Sequence, residues 1–244
     1  MAPSSSSKAL SWTRPIATVL LQTDGTDKAA KILQYSLRFI HYASTLKQAA
    51  INKDTEQRLL AAIKVMSSSR KVIRLGKCTY SWPSIRDSPY TTNPVGLANY
   101  INNWIGNCND ILDDVAFMGN LGFLSASITS FSEMWADRVW FLSCFFDIFV
   151  LVVQLYHVSS QIKVLKAVDM ISFEGQDQSS TLFEMQKLQL KKAMIWVGLW
   201  KMFGDVGVAS SYALHLNTSK GNIALFGLLS ASAGFYKLYV KALG

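Results

Sequence analysis

Apolar residues recur along this chain at three- and four-residue spacing and seldom alternate, which predicts helices throughout and almost no strand. The expected fold is all-α, with N-terminal amphipathic helices followed by C-terminal membrane-embedded helices. Residues 1–22 read as a flexible tail, 23–135 as an amphipathic region and 136–244 as a membrane-anchoring region. The amphipathic patterns fall at about 26–47, 54–76 and 95–119, and the long apolar runs at about 139–157, 193–216 and 222–240.

The first helix opens on Thr23-Asp24-Gly25-Thr26-Asp27, whose acidic and hydroxyl side chains suit free N–H groups and the helix dipole. At 100° per residue, Lys31, Gln34, Arg38, His41 and Thr45 share one narrow polar stripe, and Ile32, Leu33, Leu37, Phe39, Ile40 and Leu46 cover most of the rest. So wide an apolar face predicts contact with lipid or with several partner helices. On the second helix Leu59, Ala62, Ile63, Val65, Met66, Val72 and Ile73 cluster on one side, with Lys64, Lys71 and Arg74 opposite. Arg70 and Lys77 fall at the edge, where long basic side chains can run their stems along lipid tails. That pattern predicts an interfacial helix in which Leu59, Ile63, Met66 and Ile73 insert. Lys31, Arg38, Lys64, Arg70, Lys71, Arg74 and Lys77 would then meet anionic headgroups. The third helix carries an apolar stripe through Leu97, Ile101, Trp104, Ile105, Cys108, Leu112 and Val115, with Asp110, Asp113 and Asp114 on its polar side. It is expected to pack that stripe on the two basic helices and to leave its acids in water or paired. The segment between, CTYSWPSIRDSPYTTNP, holds Pro83, Pro89 and Pro94 and reads as a loop.

Among the apolar runs, Val139–Tyr156 is 18 residues with a single charge, Asp147, at the lower length limit for crossing a bilayer. The run at 193–216 is interrupted by Lys201 and Asp205, which are four apart and able to pair. The last carries Gly227, Ala231 and Gly234, small residues on one face that permit close helix packing. Only the first and third are expected to cross fully. Asp147 and Asp205 are functional positions by default if they lie at bilayer depth.

Composition changes the picture in one respect. Half the residues are hydrophobic and 16% are charged, against roughly 25% in average soluble domains, while 24 Lys and Arg against 16 Asp and Glu give a charge of +8. An apolar, basic chain fits an anionic phospholipid membrane as its partner, and no nucleic acid is expected. Cys78, Cys108 and Cys144 stand far apart without CxxC spacing, so no disulfide framework and no metal site is expected. His41, His157 and His215 are scattered, and neither a phosphate-cradling Gly loop nor a nucleophile motif is present. No catalytic residue, no cofactor and no enzymatic activity are therefore expected.

Specific strings sharpen this. Asp24-Gly25-Thr26-Asp27-Lys28, Gln34-Tyr35 and Arg38 are followed by Arg70-Lys71-Val72-Ile73-Arg74-Leu75-Gly76-Lys77. Asp205 and the stretch from Gly227-Leu228-Leu229-Ser230 to Gly234-Phe235-Tyr236 come later. From residue 16 onward the chain resembles the peroxisomal biogenesis factor 11 family. The resemblance implies a peroxisomal membrane protein whose amphipathic helices insert into and tubulate the bilayer. It would promote elongation, proliferation and fission of the organelle, self-associate into a homo-oligomer and recruit the peroxisomal fission machinery. The alternative is a metabolite pore or carrier formed by the apolar half, with Asp147, Lys201 and Asp205 lining a polar path; the resemblance also implies metabolite passage.

Overall fold

The computed structural model describes residues 14–46, 52–87, 93–171 and 178–243. Helix α1, over residues 14–20, leads into α2 (Thr23–Leu46), α3 (Lys53–Arg74), α4 (Lys77–Arg86), α5 (Pro94–Asn120), α6 (Ala126–Ile171), α7 (Gln178–Ala213) and α8 (Lys220–Leu243). No strand occurs among the described residues.

The helices pack in series, α5 on α6, α6 on α7, α7 on α8, α8 on α2 and α2 on α3, with α4 lying on α5. Helices α2 and α8 run antiparallel: Tyr42 lies over Gly221, Tyr35 over Gly227 and the Lys28 stem over Gly234. Each close approach exists because the facing residue lacks a side chain, since a Cβ on Gly227 would come within 2.3 Å of the Tyr35 ring. Between α5 and α6 the joints are polar: Asn102 Nδ2 donates to Asp147 Oδ1 at 2.8 Å, Ser143 Oγ to Asn102 Oδ1 at 2.7 Å, and Asn120 Nδ2 to Glu133 Oε1 at 2.7 Å. One core cluster joins Cys144, Met202 and Ala209, and a second joins Val158, Ile162 and Ile195.

Outside these clusters many large apolar side chains of α6, among them Phe131, Val152, Tyr156 and Val164, face outward. Helices α6 and α8 are each long and apolar enough to cross a membrane. Only 11% of the apolar window of α6 is buried by the protein, whereas the core helix of a soluble protein is mostly covered. The 46 residues of α6 extend about 69 Å, more than twice a hydrocarbon core of roughly 30 Å.

Three expectations are corrected. Residues 14–22 do not belong to a tail, because α1 is helical and its Val19 is fully buried; residues 1–13 lie outside the described ones. The proline-bearing segment is not a loop throughout, since α4 runs through Pro83 to Arg86. Packing overrides the proline there: Ile85 is buried, Trp82 meets Trp104 edge-on at 5.6 Å, and Asn107 Nδ2 donates to the Cys78 carbonyl at 3.2 Å. Pro94 begins α5 instead, where a missing N–H costs nothing and the Asn93 side chain accepts from Val95 N. Pro89 is outside the described residues. Finally, the apolar stripe of α5 packs on α6, not on the two basic helices, and Leu97, Ala98 and Ile101 face Leu142, Phe145 and Phe149.

Candidate functional site

Positions 27, 31 and 34 of α2 share one helix face, and positions 70 and 74 of α3 share another. Where these faces meet α5, α6 and α7, a polar cleft of about 270 Å³ opens. Asp27 is 3% exposed. It takes Arg70 Nε at 2.9 Å, Lys28 Nζ at 3.2 Å and Arg74 Nε at 3.8 Å, while Arg70 Nη1 donates to Gln34 Oε1 at 2.8 Å. Burial alone would raise the Asp27 carboxyl, but Arg70, Lys28 and Arg74 outweigh it and hold it below its ordinary 3.8.

One turn further along α2, Lys31 is 6% exposed and donates to Asp205 Oδ1 and Ser230 Oγ, both at 2.9 Å. Burial pulls this ammonium down to about 8, although Asp205 opposes the shift. Asp205 also receives Ser230 Oγ on Oδ1 and Lys201 Nζ on Oδ2 at 3.0 Å. One buried carboxylate of α7 thus ties together α2, α7 and α8. Tyr35 beside it is buried, which pushes its phenol up to about 12.

The acids of α5 close the other side of the cleft. Arg74 Nη1 lies 3.5 Å from Asp113, Lys77 Nζ lies 3.7 Å from Asp110, and Gly76 N donates to Asp114 at 3.0 Å. Gly76 adopts φ +73, a left-handed turn that ends α3 and lets α4 restart at Lys77.

This placement revises two headgroup assignments. Lys31 and Arg70 do not face outward, because both are occupied by buried carboxylates. Arg70 falls in the middle of the Leu59–Ile63–Met66–Ile73 face, so its reach to Asp27 and Gln34 turns that face toward α2. Those four apolar residues are accordingly half-buried, and no residue of α3 is fully buried. Leu60, Val65 and Val72 are the exposed apolar residues of α3, with Lys64 exposed among them. Lys71 is half-buried with Glu133 at 3.9 Å, Lys77 is exposed, and Arg38 donates to Tyr212 Oη at 3.2 Å. Gly227, Ala231 and Gly234 all lie on the α8 face that meets α2 or the bundle interior, and Ala231 is fully buried. Lys201 and Asp205 pair within the bundle, and Asp147 accepts from Asn102. The sequence reading missed Asp27 and Ser230 as site residues. For Asp27 a signal existed, an acid one turn ahead of Lys31 on the same face, but its position also suits a helix start.

A family model described as Peroxisomal biogenesis factor 11 (PEX11) matches residues 15–239. Comparison with curated proteins and with solved structures gives no match. The matched range takes in Asp27, Lys31 and Asp205, all of α3, and α6, with α8 nearly to its end. The chain belongs to the peroxisomal biogenesis factor 11 family, and its role lies in peroxisome biogenesis.

Proposed function

We propose that this protein binds and deforms the peroxisomal bilayer, and so promotes elongation, proliferation and fission of the organelle, without catalysing a reaction. The observation that carries the reading is α3. This 22-residue helix has no fully buried residue and presents Leu60, Val65 and Val72 beside Lys64, on a body that holds two helices of bilayer length. A helix wedged among the headgroups of one leaflet expands that leaflet relative to the other, which favours curvature. Anchoring by α6 and α8 keeps the wedge at the surface at high effective concentration, and self-association through the outward apolar faces would gather many wedges. Lys64, Lys71 and Lys77 each contribute about 1 kcal/mol on an anionic surface, so binding is salt-dependent.

The test uses the full-length protein reconstituted into vesicles rich in anionic lipid, with tubulation followed by electron microscopy. Lys64, Lys71 and Lys77, all changed to Gln, should cut tubulation severely while reconstitution stays intact. Tubulation at the wild-type level by this triple variant would overturn the reading.

A further inference from the structure

Lys237 of α8 is half-buried on a helix apolar enough to cross a bilayer, yet no carboxylate among the described residues comes within 4.0 Å of its ammonium. Its neighbours are otherwise engaged: Lys201 with Asp205, Lys28 with Asp27, Lys77 with Asp110, and Asp147 with Asn102. Lys237 and these neighbouring lysines line a pocket of about 410 Å³ whose walls carry four lysines, Lys28, Lys77, Lys201 and Lys237, against two acids, Asp24 and Asp147. Two glycines shape it. A Cβ on Gly198 would press on Leu151 at 3.1 Å and touch Lys237 Nζ at 3.5 Å, and one on Gly234 would press on the Lys28 stem at 3.2 Å, so both lysines lie against the bare backbone of α7 and α8.

Among the described residues Lys237 makes no close ion pair, and only the more distant Asp147 carboxylate offsets its charge while Lys201 repels it, so an anion in the pocket is electrostatically favoured. The height of the pocket fits one kind. Gly198 lies six residues, about 9 Å, along α7 from Lys192. Lys191 and Lys192 belong with Lys163 and Lys166 to the basic end of the α6–α7 hairpin, and Lys241 follows one turn after Lys237. The pocket therefore opens just inside a basic belt of the sort that meets headgroup phosphates.

We propose that this pocket is a binding site for a phosphate group, held by Lys237 with Lys28 and Lys201 over the floor made by Gly198. Phosphate of that kind comes on an anionic lipid headgroup or on a small soluble organic phosphate. The proposed ligands Lys237, Lys28 and Lys201 lie outside α3; Lys77 alone is shared between this pocket and the lysines of the tubulation test, and phosphate binding and vesicle tubulation are separate readouts.

The full-length protein in phosphate-free maltoside micelles is titrated with dioctanoyl phosphatidic acid, glycerol 3-phosphate, inorganic phosphate and, as a zwitterionic control, dioctanoyl phosphatidylcholine. Binding is followed by ³¹P NMR. Saturable binding of phosphatidic acid alone assigns the site to lipid, and saturable binding of glycerol 3-phosphate as well assigns it to phosphate from either source. Lys237→Gln should weaken binding about tenfold, the size of one charge-assisted contact. Lys220→Gln should change it less than about twofold, since Lys220 is an exposed charge at the opposite end of α8. Gly198→Val keeps every charge and fills the floor, so it should weaken binding as well, and it serves as the test if Lys237→Gln does not fold. The proposal fails if none of the anionic probes saturates. It fails equally if phosphatidylcholine binds as well as phosphatidic acid, if Lys220→Gln matches the loss at Lys237, or if the folded pocket variants bind like wild type.

Discussion

Changing Asp27 to Asn removes one charge from the joint between α2 and α3 and keeps the side chain's size. Asp27 is 3% exposed and its main partner Arg70 has a side chain 13% exposed, so the pair is shielded from solvent. Removing one partner of a buried pair costs roughly 3–5 kcal/mol, because the other charge is left unpaired. The lower end applies here. Arg70 keeps Gln34 at 2.8 Å, and Arg74 keeps Asp113 at 3.5 Å. Helix α3 has no buried residue, so the loss falls on its local opening and not on unfolding of the α6–α8 body. About 3 kcal/mol is roughly a hundredfold in the opening equilibrium.

Hydrogen–deuterium exchange resolved by segment reads this directly. Amides across residues 59–74 should exchange about a hundredfold faster in Asp27→Asn, with α7 and α8 unchanged. Asp54→Asn breaks only the solvent-exposed pair with Arg58, worth about 0–1 kcal/mol, and should leave the pattern close to wild type. Unchanged α3 exchange in Asp27→Asn, or equal acceleration of α7 and α8, would refute the claim that Asp27 is the local anchor of α3.

Gly227→Val drives a branched side chain into the body of the Tyr35 ring, and the separation of α2 from α8 should lower stability by about 3 kcal/mol, seen as a lower thermal midpoint. Acidification should release α3 first. The Asp27 carboxyl titrates lower folded than unfolded, so its contribution is present above 3.8 and is lost as pH falls through the folded value beneath that, which exchange measured at acid pH will show. Asp110 has the opposite sign: burial raises its carboxyl although Lys77 opposes, so its contribution to stability declines as pH rises from 3.8 through the folded value. Asp110→Asn should therefore raise the thermal midpoint at neutral pH, and a lowered midpoint would show that its bond to Lys77 dominates.

The helical class was legible because three- and four-residue spacing persists along the chain, and the outward apolar faces of α6 and α8 were readable as runs too apolar for a small core. What was not legible depended on distant residues. Pro83 argued for a loop until Ile85, Trp82 and Asn107 were seen to fix α4 on α5. The pairing of Lys201 with Asp205 follows from a four-residue spacing, whereas that of Lys31 with Asp205 spans 174 positions and leaves no local trace. Arg70 shows the same limit. A wheel can place it beside apolar residues, but whether it turns to lipid or inward depends on Asp27, 43 positions away.

That inward turn makes Asp27 and a lipid phosphate competitors for the same arginines. On an anionic surface Arg70, Lys71, Arg74 and Lys77 together gain about 4 kcal/mol at roughly 1 kcal/mol each. The anchor at Asp27 is worth about 3 kcal/mol by the reasoning above. The two are close enough that an anionic leaflet can shift α3 off α2 and free Leu59, Ile63, Met66 and Ile73 for the hydrocarbon, whereas a zwitterionic leaflet cannot. Wild-type α3 amides should accordingly exchange faster on anionic vesicles than on zwitterionic ones. The gap should close in 1 M salt, where the screening length of about 3 Å weakens headgroup attraction more than the shielded Asp27 pair. Asp27→Asn should remove the gap by the other route, with α3 open on both surfaces. If wild-type exchange is the same on both, α3 stays on α2 throughout, and only Leu60, Val65 and Val72 on its outer face can meet the membrane.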